Sequence, residues 1–212
     1  MTSFVKYLEN NELLANAFKF IIENNKGAYN PYHSTFHLLD VFTTSMEIAE
    51  VSYPTLSETD KIELGIAALF HDFDHSGGEF KNDIDNIELA LLGLVKFMIN
   101  NSDTAKKYNI NTINIMELIQ ITEFPHKKEV ILPTQMILRD ADTIQCYNKN
   151  WFLNVITGFQ QRELGLSIPK GIENQIKFIE NVKYCTSHAK YIHSKEQEEM
   201  LKNLYFLASI YK

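Results

Sequence analysis

Ile66-Ala67-Ala68-Leu69-Phe70-His71-Asp72-Phe73-Asp74-His75 is an apolar run that ends in two imidazoles and two carboxylates. Five consecutive apolar residues let a helix be buried on every side, so the groups that follow are carried toward the interior. The helix starts at Ser57, whose hydroxyl caps it with Asp60 three residues on, and runs through Leu64, Ala67 and Ala68 to His71. Burying a carboxylate without a partner costs on the order of several kcal/mol. Asp72 therefore calls for a cation or a hydrogen-bonding network.

Upstream, Tyr32-His33-Ser34-Thr35-Phe36-His37 offers two more histidines, four residues apart. Asn30-Pro31 closes a loop and opens a helix expected to carry both, and residues at that spacing share a helix face. Taken alone, such a pair is more often two histidines on a polar face than a ligand set. Downstream, Met136-Ile137-Leu138-Arg139-Asp140-Ala141-Asp142 is another largely apolar helix that delivers a carboxylate, with Asp142 as candidate, Asp140 as alternative and Arg139 as a possible pairing partner of either. Three segments thus supply imidazole and carboxylate groups, which suit zinc, iron, manganese or magnesium and not a soft thiolate site.

Elsewhere apolar residues recur at spacings of three and four, as in Leu14, Phe18 and Ile22 or Leu201, Leu204 and Leu207, so the expected fold is all-α. Val130-Ile131 is the one ambiguous apolar pair. Further helices are expected at about 84–100, 112–123, 133–146, 149–164, 171–187 and 195–211. No linker interrupts the chain, and 212 residues with 45% hydrophobic content build one domain over 1–212. The net charge of −7 and the isolated pairs Lys106-Lys107 and Lys127-Lys128 argue against a nucleic-acid surface. Cys146 and Cys185 are expected to be buried thiols rather than a disulfide framework. No apolar run is long enough to cross a bilayer and no signal-peptide core is visible, so the expected setting is cytoplasmic.

The two histidine segments together resemble the catalytic domain of class I cyclic-nucleotide phosphodiesterases, within the HD-domain metal-dependent phosphohydrolases. Tyr32-His33-x-x-x-His37-x-x-Asp40-Val41 is similar to the opening signature YHxxxHxxDV, and Ala67 to Gly77 to AALxHDxDHxG. Ile87-Glu88-Leu89-Ala90-Leu91, Thr122-Glu123-Phe124, Ala141-Asp142 and Gln175-Ile176-Lys177-Phe178-Ile179 resemble, in the family's order, its SELAL, TDM, AD and QxxFI segments. The resemblance covers roughly residues 4–185.

It implies an HD-type helical bundle with two divalent ions (zinc, magnesium, manganese or iron): His37, His71, Asp72 and Asp142 on the first, with Asp72 bridging to a second held mostly by water. It implies His33 as general acid, supported by His75, Glu88 and Thr122. Tyr32 and Phe124 would line the substrate site, Gln175 would hydrogen-bond the base and Phe178 would pack on it. On the residues alone, Gln175 reads equally as helix surface and Phe178 as core; Trp151, Phe152 and Phe159 read as core, and His126, His188 and His193 as surface or helix-end residues. The implied activity is hydrolysis of nucleoside 3′,5′-cyclic monophosphates to 5′-monophosphates, by attack of a hydroxide bridging the metals. The chain departs from the family pattern at Ser34, where asparagine is usual, and at Ser76-Gly77-Gly78, which replaces a proline-containing turn. It also lacks a downstream histidine pair between Leu91 and Thr112, and is shorter than a typical family domain. The alternatives are another HD-type nucleotide hydrolase, a diiron oxygenase of the same fold, and an inactive nucleotide-binding module.

Overall fold

The computed structural model describes residues 4–211, and among them there are helices and no strand. In chain order they are α1 (Phe4–Asn10), α2 (Glu12–Asn24), α3 (Thr35–Ser52), α4 (Glu58–Phe70), α5 (Asp83–Asn100), α6 (Ser102–Lys107), α7 (Thr112–Gln120) and α8 (Pro133–Thr143). A 3₁₀ turn (Ile144–Tyr147), a π-helix (Phe152–Glu163), α9 (Ile168–Asn181) and α10 (Ser187–Ile210) complete the fold. None of these helices is long and apolar enough to cross a membrane.

The apolar run quoted above becomes the centre of the molecule. Every residue of α4 from Ile62 to Phe70 is buried, with α2, α3, α7 and α8 packed around it. Ser57 caps its start as the sequence leads one to expect, accepting from the Asp60 N–H at 3.1 Å. Glu63, a carboxylate inside this apolar helix, is satisfied by the Asn111 N–H at 2.7 Å and the Asn114 amide at 3.0 Å. Phe42, Phe70 and Phe97 are fully buried in the core that results, each such side chain contributing roughly 1.5–3 kcal/mol. A second, smaller core of Cys146, Ile156, Ile172, Ile179, Met200 and Leu204 joins the π-helix to α9 and α10.

Three boundaries differ from the sequence expectation. His33 is not helical: α3 begins at Thr35, after Ser34 with extended backbone (φ −98°, ψ 173°), and the N–H groups of Tyr32 and His33 go to Glu163. The segment expected as a helix over about 149–164 is wound as a π-helix, with i→i+5 bonding. The helix expected over about 171–187 stops at Asn181, and α10 starts at Ser187, well before 195. Asp140 is the reason, since its buried carboxylate accepts the Cys185 and Thr186 N–H groups at 2.7–3.0 Å and Thr186 then caps α10. The short α6 has no counterpart in the expected set, and Val130-Ile131 lies in a loop.

Candidate metal centre

His37 on α3, His71 at the end of α4, Asp72 just after it and Asp142 near the end of α8 converge from three elements that pack on one another. Asp72 Oδ2 is 3.3 Å from His37 Nε2 and 3.1 Å from His71 Nε2, and Asp142 Oδ1 is 3.2 and 3.7 Å from the same two atoms. The two Nε2 atoms are 3.3 Å apart. Four donors held about 2.0–2.2 Å from one ion must themselves be roughly 3–3.5 Å apart, so this donor set fits a divalent metal. The His71 Nδ1–H donates to the Ala68 carbonyl at 2.8 Å, which leaves its Nε2 as the free ligand atom. Both imidazoles are buried, whereas the Asp142 side chain keeps 23% exposure, so the group opens to solvent on the carboxylate side.

Electrostatics bind the four into one unit. Burial disfavours a charged His37, but its hydrogen bonds with Asp142 and Asp72 outweigh this and raise its pKa to about 9. His71 is raised against its burial by the same carboxylates, and both carboxylates are held below their usual range by the two histidines despite their own burial. Protons and a metal ion compete for the same lone pairs.

Beside this group stands a second one. His33 Nδ1 is 2.5 Å from Glu163 Oε2, while Glu163 Oε1 accepts the Tyr32 and His33 N–H groups at 2.7 and 3.0 Å. The Glu163 side chain is fully buried; burial raises its pKa, but the hydrogen bond and charge of His33 together with the Tyr32 and His33 N–H bonds outweigh it and hold the carboxyl below its usual range. His33 Nε2 points toward Asp72, 3.9 Å from Oδ2. The ring of His75 stacks on that of His33, centroids 3.7 Å apart. His75 Nδ1 accepts the Gly77 N–H at 3.0 Å, and burial, reinforced by the charge of His33, lowers its pKa to about 4. A neutral ring with Nδ1 as acceptor carries its proton on Nε2 and has no lone pair left there for a metal. His33, His75 and Glu163 lie close enough together to hold an ion, but the bond from Gly77 to His75 Nδ1 leaves that ring without a free lone pair for one.

Other candidates are placed differently. Tyr32 lies 4.8 Å, ring to ring, from both His33 and His37, and its phenol is kept neutral by burial and the neighbouring carboxylates. Glu88 is exposed on α5 and makes no bond to either group; Asn86 and Asp83 of the same helix face inward instead, accepting the N–H groups of Ser76 at 3.0 Å and Phe124 at 2.7 Å. Thr122 is buried and donates its hydroxyl to the Ile119 carbonyl at 2.7 Å. Asp140 serves α10 as described, and Arg139 donates to the Ile121 and Lys128 carbonyls, so neither belongs to the cluster. Phe124 and Phe178 approach each other at 6.3 Å, and Gln175 is buried at 3% exposure with its Nε2 unpaired. Trp151 and Phe152 sit against the smaller core as expected, but Phe159 contacts both Tyr32 and His33, at 5.3 Å.

Sequence reasoning missed Glu163 and Asp83. Glu163 lies 130 residues from His33 in a segment that reads as ordinary helix, and no spacing rule links them. Searches against family models, curated proteins and solved structures found no match to the chain.

Proposed function

We propose that the chain is a metal-dependent phosphohydrolase of the HD type that opens the cyclic phosphodiester of nucleoside 3′,5′-cyclic monophosphates. The observation that carries this reading is the juxtaposition of a four-donor His/Asp group with a histidine whose Nδ1 is held by a buried glutamate. His37, His71, Asp72 and Asp142 would hold the first ion, and Asp72, which also faces His33, would be shared with a second. Such ions supply Lewis-acid activation of water and neutralise phosphate charge.

The protein's own part is positioning and proton transfer. Glu163 accepts two hydrogen bonds from His33 and one from the Tyr32 N–H beside it, fixes the Nδ1–H tautomer and stabilises the imidazolium, so that Nε2–H is the proton offered to the leaving 3′ oxygen. His75 covers one face of that ring and, being neutral, adds no competing charge. Tyr32 and Phe159 close further sides with apolar surface. A diiron oxygenase would need His33 and His75 as ligands, and the Nε2–H tautomer of His75 opposes it.

The test is hydrolysis of cyclic mononucleotides and of bis(p-nitrophenyl) phosphate by the purified protein with manganese, magnesium or zinc. Asp72→Ala is expected to abolish both metal retention, read by elemental analysis, and turnover. Full occupancy and full rate in that variant would remove Asp72 from the centre.

A further inference from the structure

A cavity of about 450 Å³ opens beside Tyr32 and His37, between the loop before α3 and the 3₁₀ turn and π-helix start. That volume lies within the range of sites for small organic ligands. The cavity adjoins the four-donor group through His37, which belongs to it, and through Tyr32, whose ring packs on that of His37.

Its lining is unusually rich in side-chain amides. Asn150 and Asn154, four residues apart, both face it, and neither side chain is hydrogen-bonded among the described residues. Gln145 spends its Nε2 on Thr44 Oγ1 and the Ala141 carbonyl, which leaves its oxygen as an acceptor. A carboxamide sets a donor beside an acceptor, the pattern that matches the hydrogen-bonding edge of a nucleobase. At the rim stand two aromatic rings with little cover, Tyr29 at 97% and Phe36 at 79% exposure. Exposed rings beside unpaired amides provide the stacking faces that bases use. Asp40 is the one charged side chain of the lining apart from the His37 imidazole, and no lysine or arginine is present, so the cavity repels phosphate and suits the neutral end of a nucleotide. Gln175, the rival base reader, is buried with its amide nitrogen enclosed and does not line this cavity.

We propose that this amide-lined cavity, and not Gln175, holds the nucleobase of the ligand; the inference rests on the phosphohydrolase reading only for where the phosphate goes. The probes are adenosine, guanosine, cytidine and uridine, which carry no phosphate and need no metal, titrated calorimetrically into the full chain. At least one is expected to bind one-to-one. The double variant Asn150→Leu/Asn154→Leu should weaken it about tenfold or more, Phe36→Ala by a similar factor through lost stacking, and Gln175→Ala by less than twofold. Asn150 and Phe36 are exposed, and circular dichroism with a melting curve verifies that each variant is folded. The proposal is overturned if no nucleoside binds the wild type, if binding ignores the cavity variants, or if Gln175→Ala abolishes it. Failure of the catalytic reading looks different: nucleosides bind the cavity, yet neither cyclic nucleotides nor bis(p-nitrophenyl) phosphate is hydrolysed with any of the three metals.

Discussion

Glu163 and His33 form the pair on which the proposed chemistry turns. A carboxylate with no exposed surface is tolerated because it accepts three hydrogen bonds, one of them from an imidazole able to carry the compensating charge. Glu163→Gln keeps the size and loses the charge, so the imidazolium of His33 loses its stabilising partner while the four metal donors are untouched. We expect metal content to stay at the wild-type level and kcat on cyclic nucleotides to fall by roughly 10²–10³-fold, within the range of a general acid's contribution. The loss should be much smaller for bis(p-nitrophenyl) phosphate, whose leaving group needs no proton. Equal losses on both substrates would show that Glu163 supports the metal site or the fold instead.

At the scale of elements, the centre depends on backbones brought unusually close. Gly78, in the loop after Asp72, has φ +97°, and a Cβ there would fall inside the carbonyl group of Glu163. Gly158 of the π-helix leaves room for the Pro31 carbonyl, which a Cβ would meet at 2.7 Å. These two glycines seat the π-helix against the loops that carry His75 and His33. Gly78→Ala combines a disfavoured φ with a backbone overlap, so a cost of about 3 kcal/mol or more is expected. Calorimetry should show Tm lowered by roughly 5–10 °C. Elemental analysis should still find metal, since all four donors lie on other residues. An unchanged Tm would mean that the loop does not bear on Glu163.

For the whole molecule the governing quantity is the charge held in the His/Asp group between α3, α4 and α8. His37 has its pKa raised to about 9, so below that pH the carboxylates hold a proton on its ring, and the same carboxylates shift His71 in the same direction. Taking up a divalent ion must displace that proton. Apparent metal affinity should therefore climb as pH rises from 6 toward 9, by about tenfold per unit for each proton released, and level off above it. Competition with a fluorescent chelator across that range measures the slope, and calorimetry in buffers of different ionisation enthalpy counts the protons. A flat profile would mean that the two histidines are already neutral and that the cluster is held together in another way.

The sequence by itself was enough for the all-helical class and the capped central helix from Ser57 toward His71, and it singled out the three segments that meet in the cluster, because apolar periodicity and a buried carboxylate's need for a counter-charge are local facts. It also pointed to His37, His71, Asp72 and Asp142, whose ring nitrogens and carboxylate oxygens the fold brings to 3.1–3.7 Å. It misled where a distant group sets the local backbone: Glu163 holds the Tyr32 and His33 N–H groups in the loop before α3, and Asp140 takes the Cys185 and Thr186 N–H groups that a helix running straight from α9 into α10 would have used. Glu88 was picked from α5 by motif, yet the rotation of that helix exposes it and turns Asp83 and Asn86 inward. Hydrogen bonds across 41 to 131 residues are settled by packing of whole elements, and no periodicity in the chain encodes them.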